Sequence, residues 1–266
     1  MFRFTLLIFL IFSSAAWAAP VSLTYAVYGG GLHVVDATLK ITETANRYNA
    51  HVTAATDGML GRLAPWKANV NSQGWKPASG WSPQTHEFVT HWRDDSKAII
   101  MNYDKKGNIT ERIVREQGKP DDRQPADPKL AAGAMDLPTG ILNFLRHRKE
   151  AKGCEGSFAV YDGRRRFQVV LAGQRDVTVP KSSYSVFRGP AISCTVEIKP
   201  DGGNWSKKNR GWFKIQEDSR KQGGLPRITM AALPGVGDWL VPVRLDVASP
   251  YGAFVMHLTG TNGTVK

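Results

Sequence analysis

The chain has 266 residues and a formal net charge of +12, with 35 lysines and arginines against 23 acidic residues. No internal period repeats, and no second apolar stretch is long enough to cross a membrane, which excludes a repeat array and a helical membrane bundle. What remains is a basic chain long enough to bury one substantial core, whose 26 glycines and 15 prolines favour many short strands joined by turns.

Arg3 precedes the apolar run Phe4 to Phe12, and the segment ends Ala16-Trp17-Ala18, the form of a secretory signal with an A-x-A cleavage site. Ser13 and Ser14 interrupt the run before it reaches the roughly 20 apolar residues that a membrane anchor needs. The expected organisation is a signal peptide over 1–18 and a single β-rich domain over 19–266, in the periplasm once the leader is removed. The new N-terminus, Ala19-Pro20, offers no cysteine for lipid attachment. For an exported basic protein, anionic membrane head groups, acidic polysaccharide or cell-wall polymer are expected partners ahead of nucleic acid.

Leu23, Tyr25 and Val27 alternate with smaller or polar residues up to Gly29-Gly30-Gly31, as a strand meeting a turn does. Ala37, Leu39 and Ile41 resume the alternation, and Tyr48, Ala50, Val52 and Ala54 answer it, which predicts an antiparallel meander. The triple glycine lacks the G-x-G-x-x-G spacing of a phosphate loop, because Val34 stands where the last glycine belongs. From Asp57 to Pro83 the pattern is irregular and rich in Trp, Pro and Gly. Strands are expected over 85–92, 97–103 and 109–115, followed by a solvated connection over 116–128. His86 and His91, five apart, fall on opposite faces of a strand and cannot jointly hold a metal. Asp94-Asp95 occupies a turn.

Asp136-Leu137-Pro138 opens the one principal helix, with Asp136 as its cap, Ile141, Leu142 and Leu145 on its apolar face, and the cations Arg146, Arg148 and Lys149 at its far end. The segment from Phe158 to Leu171 reads as a hairpin around an Asp162-Gly163 turn, and Val243 to Leu258 as another. Arg164-Arg165-Arg166 and Lys207-Lys208-Asn209-Arg210 are further basic clusters, each also explained as solvated surface. Arg244 and Asp246 share a strand face. The two cysteines, Cys154 and Cys194, are expected to form one structural disulfide in an oxidising compartment, since neither has a second thiol or histidine at metal-ligand spacing.

Taken in order, the opening Leu23-Thr-Tyr-Ala-Val-Tyr-Gly-Gly-Gly-Leu, the Asp136-Leu-Pro helix start, Tyr161-Asp-Gly-Arg-Arg and the closing Val241-Pro-Val-Arg-Leu-Asp-Val-Ala-Ser-Pro-Tyr-Gly resemble the DUF3108 family of exported bacterial proteins. The resemblance implies a mainly β fold, a strongly curved antiparallel sheet forming a spiral or an incompletely closed barrel. More loosely it is similar to periplasmic lipoprotein-carrier and spiral envelope-integrity proteins, which implies a concave apolar interior. It supplies no catalytic residues and no cofactor.

No zinc-protease helix motif, nucleophile elbow, Walker loop or S-x-x-K is present. Aromatic residues are the functional lead. Trp66, Trp81 and Trp92 flank the irregular segment and are the candidate ligand-binding residues at a cavity mouth, the alternative being that the tryptophans fill the sheet's interior. The expected function is non-enzymatic binding of a lipid, lipoprotein or similar amphipathic envelope component. The alternative is an envelope-integrity scaffold contacting proteins or cell-wall polymer, and an enzyme acting on that polymer ranks third.

Overall fold

The structure is a computed structural model that describes residues 20–120, 127–150, 153–203, 205, 211–236, 239–250, 252–262 and 264–265. The expected leader over 1–18 and the basic run 207–210 lie outside the described residues. Among the described residues, all fifteen strands join one antiparallel sheet. A first meander comprises β1 (Val21–Gly29), β2 (Leu32–Glu43), β3 (Arg47–Thr56), β4 (Trp66–Trp75), β5 (Ser82–Trp92), β6 (Asp95–Tyr103), β7 (Ile109–Glu116) and the short β8 (Lys119–Pro120). A second comprises β9 (Gly156–Tyr161), β10 (Arg165–Val179), β11 (Gly189–Gly203), β12 (Arg227–Ala232), β13 (Leu240–Val247) and β14 (Phe254–Thr261), with β15 (Thr264–Val265) beside β14. The two meanders meet where β1 pairs with β14, so Leu23 lies opposite Thr261 and Tyr25 opposite Leu258.

The predicted alternation sets the inner face. Leu23, Tyr25, Ile41, Tyr48 and Ala50 are buried, and Ile41 pairs with Ala50 as Leu39 pairs with Val52. β4 corrects the expectation of an irregular 57–83 segment. Its inward positions are Ala68, Val70, Ser72 and Gly74 beyond Trp66, too small and polar to register as a hydrophobic period, yet they pair with β3 in one continuous register and with β5 in a register that shifts only between Gln73 and Gly74. A short α1 (Gly58–Leu63) precedes it.

The ribbon curls until its ends approach without joining. Arg112 of β7 donates to the Gly163 carbonyl at the β9–β10 turn, Arg164 meets Glu116 at 3.5 Å, and Met135 makes an isolated parallel bridge to Val160 of β9. Among the described residues no ladder connects β9 to β7 or β8. Ile99, Met101, Tyr103, Val114 and Tyr161 pack as a separate cluster at this gap. The turn itself is shifted by one residue from expectation. Asp162 pairs with Arg165 and the two central residues are Gly163 and Arg164, with Gly163 at φ 87°, as a hairpin with glycine at its first central position requires. The Asp162 carboxylate accepts from both Arg164 N and Arg165 N, which stabilises that register.

α2 (Leu137–Glu150) fills the inside of the curl, burying Leu142, Phe144 and Leu145 against the main core. Ile141, expected on that face, is exposed, and Phe144 takes its place. Gly140 allows this approach, because a Cβ there would lie 2.7 Å from the Phe158 ring of β9. A third helix, α3 (Trp212–Lys221), was not legible in the sequence; its inward residues include Gln216 and Ser219. Gln216 accepts from Ile198 N and donates to Ile198 O, both at 3.0 Å, so its amide substitutes for a strand at the open edge of β11. Cys154 and Cys194 form the expected disulfide, tying the residues ahead of β9 to β11 beside the irregularity of β10 between Ala172 and Arg175.

Candidate functional site

Where α2 enters the curl, a buried polar network replaces apolar packing. Asp136 is fully buried, and its two oxygens accept three hydrogen bonds. Ser72 Oγ (2.8 Å) and Thr139 N (3.0 Å) donate to Oδ1, and Thr139 Oγ1 (2.8 Å) donates to Oδ2. Because the single hydroxyl proton of Ser72 goes to Asp136, the 2.8 Å contact with His86 Nδ1 requires the imidazole N–H to donate to Ser72 Oγ. By the same reasoning Tyr48 donates to Thr139 Oγ1 at 2.6 Å. Every donor points toward the carboxylate. A serine, a histidine and an aspartate are therefore in contact, but serine sits between the other two and gives its proton to the aspartate, whereas nucleophile activation needs histidine in the middle to accept it. The Asp136 cap was legible in the sequence; its convergence with β4 and β5 was not.

Burial holds the His86 pKa below the ordinary histidine value, opposed by the nearby charges of Asp136, Asp162 and Glu87. A histidine kept neutral in the fold contributes stability that is complete above its unfolded pKa and is lost as pH falls through its folded one. Urea unfolding between pH 7.5 and pH 5 is expected to show stability decreasing with acidification, and His86→Gln should flatten that slope. An unchanged slope in the variant would remove His86 as its source. Burial likewise lowers His257, which leaves a residual slope in the variant.

Trp66 and Trp92 are direct cross-strand partners at one end of β4 and β5. Trp81 lies at the other end of the same pair of strands, past Trp75, roughly 30 Å along a ten-residue strand. The structure brings the first two together and separates the third. Trp81 is 4% exposed, stacked on Tyr48 at 4.5 Å, with Arg146 and Lys76 over its ring at 5.2 and 5.7 Å. The Asn143 amide of α2 accepts from the Trp81 backbone N–H and donates to the Trp81 backbone carbonyl. Trp81 thus pins the β4–β5 connection to α2, beside a cavity of about 370 Å³ that Lys76, Arg146 and His147 also line. Glu43 meets Lys76 at 2.5 Å and Arg146 at 3.7 Å there.

The basic clusters serve local pairing. Arg164, Arg165 and Arg166 meet Glu116, Asp162 and Asp201 respectively, and Arg244 makes a two-pronged pair with Asp246. His33, Asp36 and Asp57 converge within 4.8 Å as a cation-capable group on the surface.

An apolar cleft of about 530 Å³ opens among β10, β11, β12 and β13, a site the sequence reading did not locate. Ala191, Met230, Ala231 and Leu240 form its floor and belong to the main core; Val177 and Ile192 flank them, and Asp176, Thr178, Pro190 and Ala232 reach the exposed lip, where Asp176 is the one charged side chain. None of Trp66, Trp81 and Trp92 lines it. Its residues were legible only as strand alternation, because the concavity comes from the bend of four strands rather than from any local motif.

The family described as "Protein of unknown function (DUF3108)" matches residues 24–259, from β1 to the β14 strand that pairs with it. The chain belongs to the DUF3108 family. No curated protein matches this DUF3108 chain. Among solved structures it is similar to a β-barrel-like protein of the domain of unknown function DUF1849 from Brucella abortus, at 11% identity and a TM-score of 0.42, covering 93% of this chain and 98% of that one. It is also similar to a DUF1329 family protein from Desulfovibrio piger, at 10% identity and a TM-score of 0.20, over 94% and 88% of the two chains.

Proposed function

We propose that this DUF3108 protein is a non-enzymatic periplasmic binder that holds the apolar part of an amphipathic envelope component, a lipid or a lipoprotein's acyl group, in the cleft between β10 and β13. The observation that carries the reading is the cleft itself: about 530 Å³, open at the surface and floored by core side chains. That volume falls within the range of small-molecule sites, and exposed apolar surface of this kind gains from being covered. The buried disulfide supports an oxidising, exported setting, as does the leader expected over 1–18. The proton order through Ser72 supports a binding role over a hydrolytic one, since no nucleophile is activated there.

Native mass spectrometry and solvent extraction of protein purified from the periplasm of its own host test the proposal. Wild type is expected to carry lipid. Ala232→Trp, placed at the exposed lip to fill the cleft without disturbing the core, should retain about tenfold less. Protein that is consistently empty, or a variant that carries as much lipid as wild type, overturns it. An empty protein retained by cell-wall polymer in a salt-sensitive manner would establish the scaffold reading in its place.

A further inference from the structure

In an antiparallel meander alternate connections share an end, and the β1–β14 pairing extends this across the seam. The β5–β6, β3–β4, β1–β2 and β13–β14 connections are therefore four neighbours along one end of the sheet. Each presents a large exposed apolar side chain: Trp92, Met59 and Leu63 on α1, Leu32, and Phe254. Leu32, Met59 and Leu63 are each more than 60% exposed. Trp66 adds a half-buried ring opposite Trp92, and Phe254 rests over Gly29 at the next turn. At the opposite end of the first meander, the connections 44–46, 76–81 and 104–108 present no exposed large hydrophobic side chain among the described residues.

Single exposed apolar residues are ordinary, but five on four adjacent tips are not. We propose that this end of the sheet docks on the surface of an anionic lipid bilayer. The tips stand on separate connections and do not enclose a groove, so they suit a fluid layer that moulds around each one better than a rigid complementary protein face. Their composition fits the head-group boundary. Trp92 is followed by Arg93, held at φ 53° at the tip of its turn, and Leu63 follows Arg62, each pair combining an apolar body with a cation that reaches the phosphates. Asp57, Asp94 and Asp95 share this end, with Asp57 3.3 Å from His33 and Asp95 accepting from Gln117. Attraction to the bilayer therefore comes from the chain's net positive charge, of which the leader supplies only Arg3, and insertion from the apolar tips. The cleft lies toward the other end, beside the β12–β13 connection, so a docked protein keeps it clear of the membrane.

Flotation of the leaderless protein with vesicles of phosphatidylglycerol and phosphatidylethanolamine, against vesicles of phosphatidylcholine alone, tests the proposal. Wild type should float with the anionic vesicles, less so at high salt. The double variant Leu63→Ser with Trp92→Ser should lower the bound fraction about tenfold or more, while Ala45→Ser with Ala78→Ser, exposed at the opposite end and neutral in charge, should not. Both residues changed in the rim variant are exposed, and circular dichroism checks that the fold is kept. Wild type that stays below both vesicle types, equal flotation with phosphatidylcholine, or a rim variant that floats like wild type overturns it. Native mass spectrometry should find the same cleft contents in wild type and rim variant, so the cleft and the docking surface fail separately.

Discussion

Replacing Asp136 with alanine is expected to lower the stability of the fold by about 4 kcal/mol. The substitution removes the acceptor for Ser72 Oγ, Thr139 N and Thr139 Oγ1 in a position with no access to water. Each orphaned buried donor costs about 1–3 kcal/mol, partly relieved by local rearrangement, and loss of the helix cap is included in that figure. At about 2–4 °C per kcal/mol for a chain of this size, the melting temperature should fall by roughly 10 °C. Asp136→Asn keeps one acceptor oxygen but turns an amide N–H toward a donor, and should lose about half as much. Urea unfolding followed by circular dichroism measures both. A loss under about 1 kcal/mol for the alanine variant would show that packing of Leu142, Phe144 and Leu145, and not the polar network, holds α2 in the curl.

Opening the Cys154–Cys194 bridge is expected to have an effect of the same size. The bond closes a loop of 40 residues, for which chain entropy gives about 4 kcal/mol. It also lies where β10 departs from regular pairing with β11, between Ala172 and Arg175, so it fastens the sheet at an interruption of the ladder. Unfolding of the native protein with and without a thiol reductant, alongside Cys154→Ala with Cys194→Ala, measures it. The reduced protein and the double variant should show similarly lowered midpoints. A midpoint shift worth less than about 1 kcal/mol would mean that the hairpin of β9 and β10 positions these residues unaided.

Much of the fold was legible because it depends on spacing between near neighbours. The alternation of Leu23, Tyr25, Leu39, Ile41, Tyr48 and Ala50 marked β1, β2 and β3, and Asp136-Leu-Pro marked the start of α2. β4 escaped because a strand that lies against the polar network carries Ser72 and Gly74 where a core strand would carry leucine or valine. α3 escaped because Gln216 earns its burial through hydrogen bonds to Ile198, which leave no hydrophobic period. The one-residue shift of the Asp162–Arg165 turn reflects a carboxylate that two backbone N–H groups recruit.

The candidate sites were less legible than the strands. The three tryptophans were visible as residues, but only cross-strand register shows that Trp66 and Trp92 are partners and that Trp81 belongs to the packing of α2. The cleft depends on how far four strands bend, and the apolar rim on which connections become neighbours.

By itself the sequence determined the mainly β class, the alternating inner face, the helix cap and the cysteine pair, because each follows from side-chain periodicity or residue chemistry within short reach. Only the tertiary structure decided strand order, the meeting of Ser72, His86 and Asp136, the cleft, and the end of the sheet where Leu32, Leu63, Trp92 and Phe254 gather. These depend on β1 pairing with β14 across almost the whole chain and on the curvature of the sheet that results, and backbone hydrogen bonds carry no residue code that would announce such a partner in advance.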